Sequence, residues 1–312
     1  MARQQDMTHW AGINEVTFLL GIRFLFWIAR IFGRWPFRLF LYPVIFWYMM
    51  TNPIARQASR DYLMHISSYG GIKDMEPGFW RTLSHFMAFG ENILDKLLVW
   101  SGNYPLESVL IHGKAPFDEY ILQKQGCLLI CSHSGNIELC KALSKKQAGL
   151  KVTMLVHTHH AKEFNNILKQ ISPDSQFSIV QVTDISPAVI FALNERVQQG
   201  EFIIIAGDRV PVSDNQRTVS VDFLGDKAAF PIGPYVLASL LDCPVHLMFA
   251  TKGAHGDEVH FEFFRKKISM PARKEREVFF HKLASEYSAR LEHYCLTAPL
   301  QWFNFYPFWD KK

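Results

Sequence analysis

Residues 127–138 read CLLICSHSGNIE, and this stretch decides how the chain folds. The apolar run Cys127–Cys131 has the length and character of a strand buried inside a sheet. The residues that follow, 136–147, have the pattern of a helix. His133 therefore lies at a strand-to-helix turn, with Glu138 following it after four intervening residues.

Short apolar strands continue to alternate with helical stretches from about residue 126 onward. We expect strands at 127–132, 151–156, 178–182, 202–206, 219–223, 244–250 and 259–264. Helices are expected between them at 136–147, 160–170, 186–199 and 231–242. This alternation predicts an α/β fold, with a mostly parallel mixed sheet covered by helices on both faces. Ligands bind beyond the carboxyl ends of such strands, where His133 lies and where residues 207–209 would reach the same edge.

Residues 1–52 are predicted to be a membrane-associating helical segment, ahead of a domain at 53–312 that begins with helices at 54–69 and 77–100. Residues 16–50 are rich in aromatic and aliphatic side chains, and their uncharged stretches are shorter than the roughly 20 residues needed to cross a bilayer. Arg23, Arg30 and Arg34 fall within an arc of roughly 40° on a helical wheel. This arc favours an amphipathic helix lying in the membrane interface, with the arginines towards the headgroups.

Two other arrangements of this segment are open. Gly33 and Pro36 are expected to divide it into two short pieces. A tilted or re-entrant hairpin kinked at Pro43 is one alternative. Packing on the catalytic domain as ordinary core helices is the other.

Composition limits the possible classes of protein. Of 312 residues, 49% are hydrophobic and 14% aromatic, which is enough for a large core. The formal net charge of +4 fits an anionic membrane surface or an acidic carrier protein. No nucleic-acid-binding motif occurs, so no nucleic-acid partner is expected. Five cysteines without a Cys-x-x-Cys pair suggest reduced core thiols in the cytoplasm.

A histidine with a nearby carboxylate is the usual arrangement of a general base and its orienting partner. The chain contains no Gly-x-Ser-x-Gly elbow, so His133 has no obvious serine to activate. Such a base most simply activates a hydroxyl or amine of the substrate, which indicates direct acyl transfer. The alternatives are that His133 only stabilises the turn and that Glu138 is a favourable acid in the first turn of a helix.

The stretch resembles the His-x4-Asp/Glu signature of the lysophospholipid acyltransferase superfamily. The wider chain resembles the branch that contains the late acyltransferases of lipid A biosynthesis. Further similar segments follow in order up to residue 302. They are GDRVP at 207–211, FLG at 223–225, AFP at 229–231, GP at 233–234 and PLQW at 299–302.

The chain departs from that branch at two places. HTHH at 157–160 replaces an arginine-proline pair, and the aromatic stretch 304–309 replaces a basic ending. With these changes the chain looks closer to the relatives that accompany aryl polyene pigment pathways in Gram-negative bacteria. In those, the acyltransferase is thought to attach a polyene acyl chain to a lipid anchor.

The resemblance implies a membrane-associated acyltransferase that moves a fatty or aryl polyene acyl group from a thioester to a lipid or glycolipid acceptor. The thioester is a co-substrate on acyl carrier protein or coenzyme A, and no other cofactor is expected. The expected location is the cytoplasmic face of the bacterial inner membrane, peripheral or monotopic. Alternatives are a lipid A late acyltransferase, a lysophospholipid acyltransferase, a thioesterase and a non-catalytic lipid-binding protein.

Individual roles follow from this interpretation. His133 is the predicted base, and Glu138 holds its ring and stabilises the imidazolium. Backbone amides of Gly135 and Asn136 are expected to bind the oxyanion. The predicted substrate contacts also include His160, Asp208 and Arg209.

Arg209 would bind a phosphate, or would pair with Asp208 to fix the turn. His157, His159 and His160 suggest a metal ion, with Glu163 as the only nearby ligand, but no metal site is expected.

Two further segments have more than one interpretation. The basic residues at 265–267, 273–274 and 276 either dock an acidic carrier protein or form a solvated helix face. The aromatic residues 302–309 rest on the membrane, close over the acyl group or pack under the sheet.

Overall fold

The computed structural model describes residues 31, 33–140, 150–156, 177–181, 186–210, 217–253 and 256–309. Several predictions lie outside these residues. They are the arginines at 23 and 30, the histidines at 157, 159 and 160, the acid at 163, the helix at 160–170 and most of the helix at 136–147.

A seven-stranded mixed sheet forms the centre of the described part of the chain, in the order β1-β9-β8-β2-β5-β3-β4. Neighbouring strands are parallel except for the antiparallel pair β8 and β9. Its strands are β1 Leu110–His112, β2 Cys127–Cys131, β3 Val152–Val156, β4 Phe177–Gln181, β5 Phe202–Ala206, β8 Val245–Gly253 and β9 Gly256–Arg265. A separate hairpin consists of β6 Thr218–Phe223 and β7 Asp226–Pro231. The predicted α/β fold with a mostly parallel mixed sheet is confirmed.

Helices cover both faces of this sheet. They are α1 Arg34–Thr51, α2 Pro53–Gly70, α3 Phe79–Trp100, α4 Ala115–Leu122, α5 Pro187–Gln198, α6 Gly233–Leu241 and α7 Arg276–Thr297. Of the expected helix at 136–147, the described part is a 3-10 turn, Ile137–Cys140. The sequence analysis did not assign β1, β7, α4 or α7.

The central strand β2 is buried along its whole length because both of its faces are covered. Successive side chains of a strand point to opposite faces. Leu128 and Ile130 accordingly join one hydrophobic cluster, which includes residues of α6 and α7. Cys127, Leu129 and Cys131 join a second cluster on the other face. All five cysteines of the chain are free and buried.

Helix α1 begins after Gly33, which has a φ of 83°, and then runs unbroken through Pro36. The predicted break at Pro36 is therefore wrong. Proline is tolerated in the first turn of a helix, where its missing N–H would have no intrahelical partner. Pro43 also lies inside the helix. Among the described helices, none combines enough length with enough apolarity to cross a membrane.

One face of α1 packs against α3, while the opposite face is exposed. Phe37, Leu41, Ile45 and Met49 are buried at a spacing of four residues, in a cluster that includes Phe86 of α3. This spacing places one side chain per turn on the same face. Core packing therefore accounts for the face that carries these four residues, and not for the exposed face.

The arginines of α1 also bond to α3. Arg34 forms an ion pair with the buried Asp95, and Arg38 contacts Glu91 at 2.8 Å. The prediction that Arg34 faces lipid headgroups is wrong, since its guanidinium is held by a carboxylate inside the protein.

Candidate active site

Two neighbouring parallel strands position the central pair of the site. Cys131 at the end of β2 is in register with Ala206 at the end of β5. His133 and Asp208 each follow two residues later, so both emerge at the same edge of the sheet. The Asp208 carboxylate accepts a hydrogen bond from Nδ1 of His133 at 2.8 Å and from its backbone N–H at 2.7 Å. The structure thus brings residues 207–209 to the edge that carries His133, as the sequence predicted.

Asp208 is 1% exposed and is held as a carboxylate by its donors. The indole Nε1 of Trp302 donates to its Oδ2 at 2.9 Å. Burial alone would raise the pKa of Asp208, but the charge and hydrogen bonds of His133 outweigh burial and lower it. Asp208 is therefore ionised at neutral pH.

The ionised carboxylate sets the tautomer of His133. Because a carboxylate only accepts hydrogen bonds, Nδ1 carries the proton and Nε2 keeps its lone pair. Burial, followed by the positive charge of Arg209, lowers the pKa of His133 below 6.5 despite the opposing effect of Asp208. The ring is thus neutral at pH 7 and 27% exposed, as a general base requires.

Glu138 does not hold the ring through Nδ1, and the predicted orienting role is wrong in this respect. Its Oε2 lies 3.3 Å from Nζ of Lys96 on α3. Lys96 was not among the predicted site residues, and no local sequence pattern favours Asp208 over Glu138 as the partner of the ring. In the sequence, Glu138 is only five residues from His133 and Asp208 is 75 residues away. The sheet register nevertheless places Asp208 beside the ring.

Glycine is needed at position 135 for the conformation and close packing of the backbone, and not to present a free amide. Its φ is 59°, and a Cβ there would lie 2.3 Å from the carbonyl oxygen of Ala250. Its N–H donates to the carbonyl of Gln301 at 2.8 Å. The prediction that this amide binds an oxyanion is therefore wrong, because the donor is already used.

Asn136 offers a different donor. Its Oδ1 accepts from the N–H of Glu138 at 3.2 Å, which fixes the orientation of the side-chain amide. Its Nδ2 is buried and has no hydrogen-bond partner among the described residues. A buried N–H without a partner costs free energy, and such groups in native proteins often serve ligands.

Arg209 is exposed and directly follows Asp208, the partner of His133, in the chain. Its Nη2 donates to the carbonyl of Phe303 at 2.9 Å, and its guanidinium lies 6.0 Å from the ring centre of Tyr306. The alternative of a structural ion pair with Asp208 is not observed, because the partners of that carboxylate are His133 and Trp302.

The segment 301–303 lies outside the sheet and is bonded to the turn that carries His133. The N–H of Phe303 donates to the carbonyl of His133 at 3.0 Å, and Trp302 bridges to Ser134. Trp302 is 1% exposed and packs against Tyr62 and Phe223. Of the three interpretations of the aromatic end, packing as core is observed for Trp302. The sequence signal was the PLQW similarity, which did not reveal this contact.

His85 contacts the segment 301–303 and has a structural role. It is fully buried and donates from Nε2 to the carbonyl of Trp302 at 2.9 Å, while Ser59 contacts its Nδ1 at 2.8 Å. Burial lowers its pKa to about 4, so the ring stays neutral.

The fold and the site define a class of enzyme. A neutral, partly exposed imidazole lies at the carboxyl edge of the sheet, with its Nε2 available to accept a proton. A family model described as bacterial lipid A biosynthesis acyltransferase matches residues 95–311, well over half of the chain. The chain belongs to this family and is therefore an acyltransferase of lipid biosynthesis. A search of the curated proteins gives no match.

Proposed function

We propose that this protein is a membrane-associated acyltransferase that moves a fatty or aryl polyene acyl group from a thioester donor to a lipid or glycolipid acceptor. The observation that carries the proposal is the buried Asp208 carboxylate on Nδ1 of His133, which leaves Nε2 as the basic nitrogen. The family match supports the transfer of an acyl group.

In this mechanism, Nε2 of His133 takes the proton of the acceptor hydroxyl or amine as that group attacks the thioester carbonyl. Asp208 stabilises the imidazolium that forms, because its negative charge contacts the ring. The tetrahedral intermediate then collapses, the carbon–sulfur bond breaks, and the imidazolium gives its proton to the thiolate. General-base catalysis of this kind contributes about 10²–10⁴-fold to the rate.

The side-chain amide of Asn136 is our candidate for the oxyanion donor. Its Nδ2–H is buried and lies three residues from the base. A donor that is fixed in place before the reaction stabilises developing charge without reorganisation. Glu138 and Lys96 support the turn that carries Asn136. A further catalytic contribution of Glu138 stays a prediction.

Arg209 is our candidate for a phosphate contact. The side chain is exposed, and one nitrogen is anchored to Phe303. A guanidinium anchored in this way binds phosphate oxygens on the acceptor or on the pantetheine arm of the donor. After burial, the same charge is the next largest influence that lowers the pKa of His133.

The outer face of α1 is our candidate for the membrane contact. Trp35 is 75% exposed and Trp47 66%, and six further large apolar side chains of this helix are exposed. They are Leu39, Phe40, Tyr42, Val44, Phe46 and Met50. Aromatic and aliphatic side chains on one helix face enter the headgroup and acyl boundary of a bilayer. We place this surface at the cytoplasmic face of the inner membrane.

Acyl carrier protein is the donor that we favour over coenzyme A. Arg265 and Lys267 pair with acids of this chain. In the same stretch Lys266, Arg273, Lys274 and Arg276 are exposed, and such a group of cations complements an acidic carrier.

The test is thiol release from an acyl-carrier thioester, measured in detergent micelles with and without bacterial lipid extract. We expect lipid-dependent release by the wild type and by His281→Ala, an exposed histidine on α7. We expect His133→Ala to remain folded and to lose this release.

Mass spectrometry of the products identifies the acceptor. Free fatty acid as the main product would establish a thioesterase instead. Release that is equal in His133→Ala, or absent with every donor and lipid, would contradict the assignment and favour a lipid-binding protein.

A further inference from the structure

Two histidines and a glutamate meet at the edge of the sheet formed by β1 and β9. His112 of β1 is in register with His260 of β9, and Leu110 with Glu258. Residues two apart in a strand share a face. Because Glu258 and His260 are two apart, and His112 lies beside His260, all three side chains project from the same face of the sheet.

The donor atoms of these side chains converge. Nε2 of His112 lies 2.9 Å from Oε2 of Glu258, and Nε2 of His260 lies 3.6 Å from the same oxygen. The three ligand atoms all lie within 4.8 Å of one another. Ligands of a tetrahedral zinc ion bind at about 2.0–2.1 Å, so neighbouring donor atoms are about 3.3 Å apart. The separation of 2.9 Å between His112 and Glu258 is shorter than this value, and the separation of 3.6 Å between His260 and Glu258 is longer.

The neighbourhood of the three side chains also suits a metal ion. The hydroxyl of Thr251 on β8 lies 3.3 Å from Nε2 of His260, where it is suited to a fourth ligand or to binding a coordinated water. The rings of His112 and His260 are stacked, with centroids 4.6 Å apart and an interplanar angle of 9°. This stacking keeps both nitrogens on the side of Glu258.

We propose that His112, Glu258 and His260 form a binding site for a divalent transition metal ion, which ties the edge strand β1 to the hairpin of β8 and β9. Two imidazoles and one carboxylate are a ligand set for Zn²⁺ and its first-row neighbours, whereas Mg²⁺ and Ca²⁺ prefer oxygen ligands throughout. No metal site was expected from the sequence, and His112 and Glu258, which lie 146 residues apart, form no local motif that would have indicated one.

The site is separate from the groups of the proposed acyl transfer. None of the three residues contacts His133 or Asp208 through a hydrogen bond or ion pair in the described part of the chain. Its position points to a structural role, since β1 is only three residues long and, among the described strands, pairs only with β9.

The experiment is isothermal titration of the full chain, without a histidine tag, with Zn²⁺ alone. His112 is half exposed, so His112→Ala leaves the core unchanged, and Glu258→Gln keeps the shape of the second ligand. His281→Ala is the matched control on α7. The double variant His159→Ala/His160→Ala tests whether Zn²⁺ binds to the HTHH stretch instead. The five cysteine thiols are buried and do not compete in the folded protein.

We expect one Zn²⁺ per chain in the wild type and in both controls. Loss of a supporting partner of a metal ligand typically weakens binding about 10–100-fold, so loss of a ligand in His112→Ala or Glu258→Gln should weaken it at least that much. Saturating Zn²⁺ should raise the melting temperature of the wild type and not that of His112→Ala, because a ligand stabilises only the state that binds it. Unchanged binding in His112→Ala, loss only in the 159/160 variant, or binding that leaves the wild-type melting temperature unchanged would overturn the proposal.

Discussion

Asp208 accepts three hydrogen bonds, two from His133 and one from Trp302. At the scale of single residues, this carboxylate decides which nitrogen of His133 is basic. It does so from a buried position, where it accepts hydrogen bonds from three protein groups. The proton position on the histidine therefore depends on a residue 75 positions away in the chain.

We predict that Asp208→Asn lowers kcat by roughly 10²–10⁴-fold, with a smaller change in KM. The amide nitrogen of asparagine would face Nδ1 and favour the tautomer that carries its proton on Nε2, which removes the base. The measurement is thiol release under saturating lipid. Asp242→Asn, at an exposed aspartate paired with Lys267, is the control. A folded Asp208→Asn protein with kcat within about tenfold of wild type would contradict this role.

The pH dependence tests the electrostatics of the same ring. The base works only when neutral, so activity should fall as the pH decreases through the pKa of His133. Burial and Arg209 lower that pKa, which places the acidic limb of the wild type below pH 6.5. Arg209→Gln removes a positive charge, favours the imidazolium and should move the limb to higher pH.

The pH profile of kcat is compared with that of Arg60→Gln, at an exposed arginine on α2 that has no proposed role in binding. We expect the control to follow the wild type. A limb in Arg209→Gln that stays in place or moves to lower pH would show that this charge does not act on His133.

At the scale of elements, the site is the place where β2, β5 and β8 meet the C-terminal segment. The turn after β2 is pressed against the backbone of Ala250 on one side and bonded to Gln301 and Phe303 on the other. Strand register aligns His133 with Asp208, and the close backbone contact holds the turn in place. The close contact depends on a residue without a side chain at position 135.

We predict that Gly135→Ala destabilises the fold and lowers activity. A left-handed backbone at a residue other than glycine costs about 1–3 kcal/mol, and the contact with the Ala250 carbonyl adds to this cost. Urea denaturation measures the loss in the free energy of unfolding. Gly233→Ala is the control, since its added Cβ meets nothing within 4 Å. Equal stability of both variants would refute the role of this close approach.

At the scale of the whole molecule, α3 connects α1, whose outer face is exposed, with the site. Its Asp95 holds Arg34 of α1 and lies 3.1 Å from Lys252 of β8, while the neighbouring Lys96 contacts Glu138. A surface that rests on lipid would thus be attached through one helix to the turn that carries the base. This arrangement suits an enzyme whose acceptor lies in a membrane.

We predict that the double variant Trp35→Glu/Trp47→Glu loses binding to vesicles of anionic and zwitterionic lipids. Burying a large apolar side chain contributes about 1.5–3 kcal/mol, so each lost tryptophan should weaken partitioning at least about tenfold. Co-sedimentation measures the bound fraction. Leu122→Glu, at a leucine that is 86% exposed on α4, is the control and should bind as the wild type does. Unchanged binding of the double variant would exclude this face as the membrane contact.

The sequence by itself determined the alternation of strands and helices, the α/β class and the position of His133 at a strand end. These features depend on local patterns, because an apolar run of five residues is typical of a strand buried inside a sheet. The family resemblance was also readable, and the match over residues 95–311 confirms it. The helix start at residue 53 followed from the Asn52-Pro53 pair, and the helix that ends at residue 100 followed from its periodicity.

Only the tertiary structure decided which groups meet. Asp208 reaches His133 because β2 and β5 are neighbours in register, and Gln301 takes the amide of Gly135 because the chain returns to the turn at its end. Arg34 bonds to Asp95 because α1 packs on α3. Such pairings join residues that are 61 to 166 positions apart. They are fixed by strand order and helix packing, which local sequence patterns do not encode.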